Sequence, residues 1–331
     1  MRAPRNHKPH RSRSTIMSVQ VGLPIPQSSP QALDMARLRQ YLVKADETGF
    51  DSLWVTEQLF GEGPRLSALP LLTFAAALTS RVTLATGILQ AALRSPVLLA
   101  KSITTLDHLS GGRVLLGVAA GSDPQAYRAC GLSTEKIGGQ LEDCIKLMKR
   151  FWTEDSVTDH SPRWEVEDGS LNPKPVRKPH PPIWFGGSSP LAIKRAARLG
   201  SGWLSPGASS TGRYLEELAM VRDIAAQAGH TPESFRVGKR VYMAVDTSPD
   251  NARDKLREWY GRTYSGRDPT DVDKVAVWGT PETILEQLGP LLDSGPDVVV
   301  LNPVFNELEQ LDVIAAEIAP KVRASGPRPT E

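Results

Sequence analysis

Short apolar runs alternate with helical patterns along most of this chain, and this alternation constrains the fold more than any other feature. The runs are rich in β-branched and aliphatic residues, as expected for parallel strands that are covered on both faces. They lie at 19–23, 52–55, 82–86, 114–118, 183–185, 202–204, 237–245 and 298–301. The helical patterns lie at 32–48, 96–109, 140–152, 190–199, 213–228 and 281–292. Alternating strands and helices predict an α/β protein.

Two α/β architectures fit such a pattern, a (β/α)8 barrel and a doubly wound sheet, and we favour the barrel. A dinucleotide-binding sheet carries Gly-x-Gly-x-x-Gly after its first strand, whereas this first run is followed by Pro24 and Pro26. A barrel needs about 250 residues, which leaves room for insertions. We predict a disordered basic extension over 1–17, a single TIM-barrel domain over 18–325 with an insertion at about 153–181, and a tail over 326–331.

The charge distribution argues against nucleic acid as a partner. The formal net charge is +2 over 331 residues, and the first sixteen residues hold several cations and no acid. The rest of the chain is therefore mildly acidic, unlike a nucleic-acid surface. These cations are Arg2, Arg5, Lys8, Arg11 and Arg13.

The composition is typical of a soluble globular enzyme, and the two cysteines indicate a cytoplasmic protein. Cys130 and Cys144 have no CxxC spacing, so we expect reduced thiols. The six histidines form no metal-ligand pattern. No apolar run approaches the roughly 18 residues of a membrane span, and the basic extension lacks the apolar region of a secretory signal.

The segment 181–190, Pro-Pro-Ile-Trp-Phe-Gly-Gly-Ser-Ser-Pro, carries the most specific functional signal. An apolar strand runs into Gly186 and Gly187, after which Ser189 is expected to cap a helix that starts at Pro190. Such a turn gathers free backbone N–H groups at the positive end of a helix dipole, which suits a phosphate. An ordinary strand-to-helix turn can have the same residues, so this segment alone leaves both interpretations open.

Several runs, in order along the chain, resemble the bacterial luciferase-like monooxygenase family. They lie at 46–57, 81–88, 95–101, 105–117, 182–188 and 277–282, within a similarity that extends from about residue 18 to 320. The resemblance implies a (β/α)8 barrel with an insertion before the fifth strand. It also implies a flavin-type cofactor, either FMN or the deazaflavin coenzyme F420, and a homodimer.

The resemblance implies a position for each part of the cofactor. The phosphate would lie against Gly186, Gly187 and Ser188, next to Ser189, which agrees with the interpretation of this turn from its residues.

The loop after the fourth strand would follow the ribityl chain through Ala120, Gly121 and Ser122. At the end of the third strand, the resemblance implies a non-prolyl cis peptide between Gly87 and Ile88, in a bulge behind the ring. A trans bulge at a barrel corner is the alternative.

Glu57 and Gln58 end the second strand and are the candidate catalytic residues. Family members that use the deazaflavin often have an acid followed by histidine here, but glutamine cannot shuttle protons at neutral pH. Glu57 is a candidate general base or hydrogen-bond partner of the cofactor, or else a rim carboxylate that holds an arginine or a backbone amide. Arg94 could bind an anionic substrate or the cofactor tail, or lie at the surface.

Two further groups are expected to be structural. Asp107 and His108 are expected to brace the end of their helix, and Trp54, Trp184 and Trp203 to belong to the core.

The predicted function is hydride transfer between coenzyme F420 and a small organic substrate. The alternative is an FMN-dependent monooxygenase that uses reduced flavin and oxygen, and Gln58 counts slightly towards it. A second alternative is a flavin-free phosphate-binding barrel enzyme or a non-catalytic cofactor-binding protein. An aldolase-type enzyme would need a lysine at a strand end, whereas Lys101, Lys146 and Lys194 fall within helical patterns.

Overall fold

The computed structural model describes residues 18–28, 33–61, 64–264 and 266–326. The predicted extension over 1–17 and nearly all of the predicted tail, 327–331, lie outside these residues. The strands are β1 (Gln20–Pro24), β2 (Ser52–Val55), β3 (Thr83–Thr86), β4 (Val114–Val118), β5 (Val157–Ser161), β6 (Trp164–Gly169), β7 (Ile183–Gly186), β8 (Gly202–Ser205), β9 (Arg236–Val245), β10 (Ala276–Gly279) and β11 (Val298–Pro303).

Helices follow most of the strands. They are α1 (Met35–Glu47), α2 (Ala68–Leu78), α3 (Pro96–Ser110), α4 (Pro124–Ala129), α5 (Ile137–Thr153), α6 (Pro190–Leu199), α7 (Thr211–Gln227), α8 (Pro249–Thr263), α9 (Pro281–Asp293), α10 (Glu307–Val313) and α11 (Ala319–Ala324). Among the helices described here, none is long and apolar enough to cross a membrane.

Eight parallel strands close into a barrel, which confirms the predicted fold. Their order is β1, β2, β3, β4, β7, β8, β9 and β11, and β11 pairs with β1 to complete the ring. Each of the eight predicted apolar runs corresponds to one of these strands. β5 and β6 form an antiparallel hairpin within the predicted insertion, and β10 pairs with the carboxyl-terminal part of β9.

Serine or threonine before proline is a sequence signal for the start of a helix, and α3, α6, α8 and α9 each begin at such a pair. The side chains of Ser189, Ser248 and Thr280 each accept a hydrogen bond from the backbone N–H three residues later. Ser95 precedes α3 without such a bond. The first helix begins at Met35, later than predicted, because Asp34 accepts the N–H groups of its first turn.

Helix α2 and the β5–β6 hairpin are among the elements that leave no clear periodic signal in the sequence, for physical reasons. Helix α2 is apolar on almost every side, so it lacks the polar stripe that reveals an amphipathic helix. The hairpin strands are short, polar and mostly exposed, which resembles a loop in sequence.

Large side chains fill the floor of the barrel. The rings of Trp54 and Trp184 lie 6.1 Å apart between centroids, in a buried cluster with Leu204, Val298 and Val300. Trp54 Nε1 donates to Ser52 Oγ over 2.8 Å, which satisfies its buried N–H. Trp203 is also fully buried, so all three tryptophans belong to the core as predicted. Any ligand must therefore bind above this floor, at the carboxyl ends of the strands.

Asp107 and His108 have a different structural role from the predicted one. Asp107 Oδ2 accepts from the Arg177 N–H over 3.0 Å, and His108 Nε2 lies 2.9 Å from the Lys174 carbonyl oxygen. Their side chains therefore tie the insertion to α3, and the prediction that they brace the end of their own helix is wrong.

Candidate active site

A cavity of about 660 Å³ opens at the carboxyl ends of the barrel strands. This volume lies within the usual range of small-molecule sites. The wall is mostly apolar side chains and bare backbone, from the ends of β2, β3, β4, β7, β8 and β9 and from helices α5 and α6.

The structure brings most of the predicted site residues to this cavity. Those in the wall are Glu57, Gly87, Ile88, Ala120, Gly121, Gly186, Gly187 and Ser189. Four other predicted residues, all within the described part of the chain, are not in the wall: Gln58, Arg94, Ser122 and Ser188.

The turn after β7 contributes Gly186, Gly187 and Ser189 to the cavity wall. Gly187 has φ +115°, which disfavours any residue with a Cβ atom, and a Cβ there would lie 3.1 Å from that of Ala192. Trp203 Nε1 donates to the Gly187 carbonyl oxygen over 2.8 Å and fixes its direction. No acceptor among the described residues takes the N–H groups of Ser188 and Ser189. The turn therefore keeps donors available at the start of α6.

The bulge after β3 faces the same cavity. The Gly87–Ile88 peptide bond is cis, which confirms the prediction for this site. Gly87 N–H donates to Val55 O over 2.7 Å, and the Glu57 N–H donates to Ile88 O over 3.0 Å. A Cβ on Gly186 would lie only 2.7 Å from Ile88 Cγ2, so the bulge packs directly on the turn after β7.

Glu57 is held at the rim of the cavity by its neighbours. Its side chain is only 3% exposed. Glu57 Oε2 accepts from the Gln90 backbone N–H and from Arg94 Nη1, both over 2.8 Å, and Arg94 Nη2 bonds the other carboxylate oxygen. This arrangement matches the rim carboxylate considered from the sequence, and it directs Arg94 towards Glu57.

Gln58 lies outside the cavity. It is exposed, and its side chain packs on Gly61, where a Cβ would lie 2.7 Å from Gln58 Nε2. The structure therefore does not bring this candidate catalytic residue together with the others.

Comparison with known proteins identifies the family of this chain. The sequence pattern of luciferase-like monooxygenases matches residues 17–297. The chain belongs to the luciferase-like monooxygenase family. Family membership agrees with the closed barrel and with the order of motifs along the chain.

Relatives within the luciferase-like family include enzymes of two kinds. An F420-dependent glucose-6-phosphate dehydrogenase of Amycolatopsis mediterranei is 26% identical over 320 residues, covering 87% of this chain and 95% of the relative. An FMNH2-dependent dimethylsulfone monooxygenase of Pseudomonas putida is 27% identical over 263 residues, covering 69% and 71% respectively.

Solved luciferase-like structures share the fold over nearly the whole chain. An F420-dependent secondary alcohol dehydrogenase bound to an F420–acetone adduct has a TM-score of 0.80 at 20% identity, covering 93% of this chain and 100% of that one. A monooxygenase from Streptomyces bottropensis has a TM-score of 0.81 at 21% identity, covering 92% and 99%.

The cavity contains polar residues that the sequence did not reveal. Arg240 and Tyr242 of β9 lie in the wall with Tyr264, which follows α8. Arg240 Nε donates to Asn302 Oδ1 over 2.8 Å, and the hydroxyl groups of Tyr242 and Tyr264 are hydrogen-bonded to each other. Burial, followed by the neighbouring Tyr242, raises the pKa of Tyr264, so the Tyr264 hydroxyl is neutral at physiological pH.

Two more polar wall residues lie near the turn. Arg195 of α6 is 14% exposed and pairs through Nε with Glu142 Oε1 over 3.1 Å. Ser205, at the end of β8, has a buried Oγ without a hydrogen-bond partner in the described chain. The only sequence signal for these two residues was their position: Arg195 follows the start of a helix, and Ser205 ends a strand.

Proposed function

We propose that this chain is an oxidoreductase that transfers hydride between coenzyme F420 and a small organic substrate at the barrel mouth. The observation that carries the proposal is the contact between Ile88 of the bulge and Gly186 of the amide turn. This contact joins the turn after β7 to the bulge after β3 in one cavity, and we propose that the turn binds the phosphate and that the bulge supports the ring. Relatives named as F420-dependent support the choice of cofactor.

The residues in the wall fit such a cofactor. The free N–H groups of Ser188 and Ser189 suit its phosphate, and Arg195, which pairs with Glu142, lies in the cavity wall on the helix that follows. Ser205 Oγ, buried without a partner, would be satisfied by a polar atom of the ligand. When bound, the deazaflavin supplies the two-electron chemistry, which side chains do not provide.

The residues of the chain act by holding and orienting. Gly186 and Gly187 admit the phosphate to the turn, and Ile88 supports one face of the ring system. Ala120 and Gly121, which line the cavity, would follow the ribityl chain, whereas Ser122 lies outside the wall.

Glu57 is a positioning residue in this proposal. Through Arg94 and the Gln90 N–H it fixes the segment that follows the bulge. Both of its oxygens are already bonded, so we assign it no proton transfer.

FMN-dependent monooxygenation is the second candidate function. It is favoured by Gln58, which replaces the histidine often found in members that use the deazaflavin. The dimethylsulfone monooxygenase among the relatives supports the same candidate. For either function we propose a homodimer in the cytoplasm, as the family resemblance implies.

Titration of the purified protein with coenzyme F420, FMN and riboflavin tests the proposal. We expect micromolar binding of coenzyme F420, followed by absorbance and fluorescence, and binding of FMN at least about tenfold weaker. Riboflavin lacks only the phosphate of FMN, so it should bind more weakly than FMN if the turn holds a phosphate.

The same titration separates the alternatives. Tight binding of FMN with weak binding of coenzyme F420 would favour the monooxygenase. Binding of none of the three would favour the flavin-free or non-catalytic alternatives and would refute the proposal.

A further inference from the structure

The cavity has a second polar region, at the end of β9, that the cofactor assignment does not use. Residues of one face of β9 point towards the barrel axis, since a Cβ on Gly238 would lie 3.0 Å from the ring of Trp184. Arg240 and Tyr242 follow at intervals of two and therefore share this face. Both line the cavity above the barrel floor.

Arg240 is oriented by a neutral partner. Its Nε donates to Asn302 Oδ1 over 2.8 Å, and its Nη2 bonds the same oxygen. Asn302 is buried on the neighbouring strand β11, so this contact fixes one edge of the guanidinium group. No other hydrogen bond of Arg240 is found among the described residues, which leaves Nη1 available to a ligand.

A second arginine lies near the first. Arg65 Nη1 donates to Thr56 Oγ1 over 2.9 Å, and Thr56 lies in the cavity wall. Burial, and after it the positive charge of Arg240, lowers the pKa of Arg65. The positive charge of Arg240 therefore acts on Arg65, which lies behind Thr56 and not in the cavity wall itself.

No carboxylate of the described residues pairs with Arg65 or Arg240. Glu57, the acid in the cavity wall, is already bonded to Arg94. Two partly buried cations without an acid are unfavourable on their own, and an anion between them would offset this cost. Arginine also matches the planar, two-oxygen geometry of a carboxylate.

The surface beside Arg240 is aromatic. Its Cζ lies 5.9 Å from the ring centroid of Tyr242, whose hydroxyl is bonded to that of Tyr264. The Tyr242 ring lies against Gly207, where a Cβ would be 2.5 Å from Tyr242 Cζ. A flat apolar group next to the anion would pack on this surface.

We propose that the substrate of this enzyme is a small organic carboxylate, whose charged group is bound by Arg240, with the positive charge of Arg65 behind the wall, and whose apolar part lies on Tyr242. That this carboxylate is the molecule that reacts rests on the proposed function. That a carboxylate binds at this place does not. Strand β8 separates β9 from β7, so the carboxylate site lies about 10 Å from the phosphate turn by strand spacing. A molecule bound here would extend towards the centre of the mouth.

Calorimetric titration with benzoate and benzamide, which have the same shape and differ in charge, tests the carboxylate site. We expect benzoate to bind wild-type protein at least about tenfold more tightly than benzamide. In Arg240→Gln this preference should fall below about twofold, and in Arg240→Lys it should be partly retained. Arg65→Gln should reduce the preference for benzoate less, because Arg65 reaches the cavity wall only through its hydrogen bond to Thr56. Exposed Arg128→Gln removes the same charge elsewhere and should change nothing.

Equal affinities of benzoate and benzamide, or no benzoate binding below about 10 mM, would overturn the proposal. Cofactor affinity measured on the same variants distinguishes the other outcomes. If Arg240→Gln loses at least about tenfold in F420 affinity and keeps its benzoate preference, these arginines hold the acidic cofactor tail, and the proposal is wrong. If wild-type protein prefers benzoate but binds neither coenzyme F420 nor FMN, the carboxylate site stands and the proposed function fails.

Discussion

The mouth of the barrel contains two polar regions that are built in opposite ways. The region after β7 consists of backbone N–H groups from consecutive residues, 186–189, shaped by a glycine with positive φ. The region at β9 consists of side chains from distant parts of the chain, such as Arg65, Arg240 and Tyr264. The first kind of site can be recognised in a single segment of sequence, whereas the second exists only once the chain has folded.

The largest effect is expected from placing a negative charge in the backbone region. Gly187→Asp should weaken cofactor binding by about 100-fold, or about 2.8 kcal/mol, because its carboxylate would repel the phosphate and occupy the turn. Gly187→Ala imposes the same unfavourable φ without a charge and should weaken binding only about threefold. Cofactor titration of both variants measures the contribution of charge.

The two variants also test whether the turn is the phosphate site at all. If Gly187→Asp is folded by circular dichroism and keeps its cofactor affinity within about threefold, the phosphate binds elsewhere in the cavity.

An intermediate effect is expected at Lys239, which supports the loop between the two regions. It is only 2% exposed, and its Nζ donates to the carbonyl oxygens of Pro206 and Ser209. Burial lowers its pKa from 10.5 to about 7. Between about pH 7 and pH 10.5, Lys239 is therefore neutral in the folded protein and protonated in the unfolded chain, so the folded protein binds one proton fewer. Stability should rise with pH over this window, by about 1.4 kcal/mol per unit for one proton.

Urea unfolding of wild type and Lys239→Met between pH 7.5 and 9.5 checks this slope. The free energy of unfolding of the wild type should increase with pH relative to that of the variant. Exposed Lys194→Met is the matched control and should follow the wild type. Parallel profiles of wild type and Lys239→Met would show that the buried amine is charged at high pH.

The smallest effect is expected where a side chain supports the backbone region. Trp203→Phe removes the N–H that donates to the Gly187 carbonyl oxygen but keeps a ring stacked on Tyr214. We expect a loss of about 1 kcal/mol in stability and a severalfold loss of cofactor affinity. Trp152→Phe removes a similar buried bond, to the Ala100 carbonyl oxygen, and should lower stability alone. Equal cofactor affinities in the two variants would show that the hydrogen bond of Trp203 does not support cofactor binding at the turn.

The fold was predictable because each barrel strand left a local signal. The eight apolar runs and the serine and threonine caps before proline depend on neighbouring residues, so they could be identified without the tertiary structure. The cis bond at Gly87–Ile88 was predicted too, but through the family resemblance and not from spacing.

The candidate site was only partly predictable. The turn at 186–189 is one segment, but the partners of Glu57 were not visible because Arg94 and Gln90 reach it only after the bulge folds back. The position of Gln58 after β2 favoured a catalytic role. However, the chain has already left the strand at this residue, and its side chain is exposed at the surface. A lone arginine such as Arg240 gives no motif, since its significance depends on the absence of an acid nearby.

Strand β9 is ten residues long, and its alternation places two cations on opposite sides of the barrel wall. Lys239 supports a loop outside while Arg240, the next residue, reaches the cavity. Insertion or deletion of a single residue before this pair would exchange the two environments, leaving an amine at the mouth and a guanidinium group beneath the loop. Evolution of new specificity at this edge is therefore easier by substitution than by changes in length.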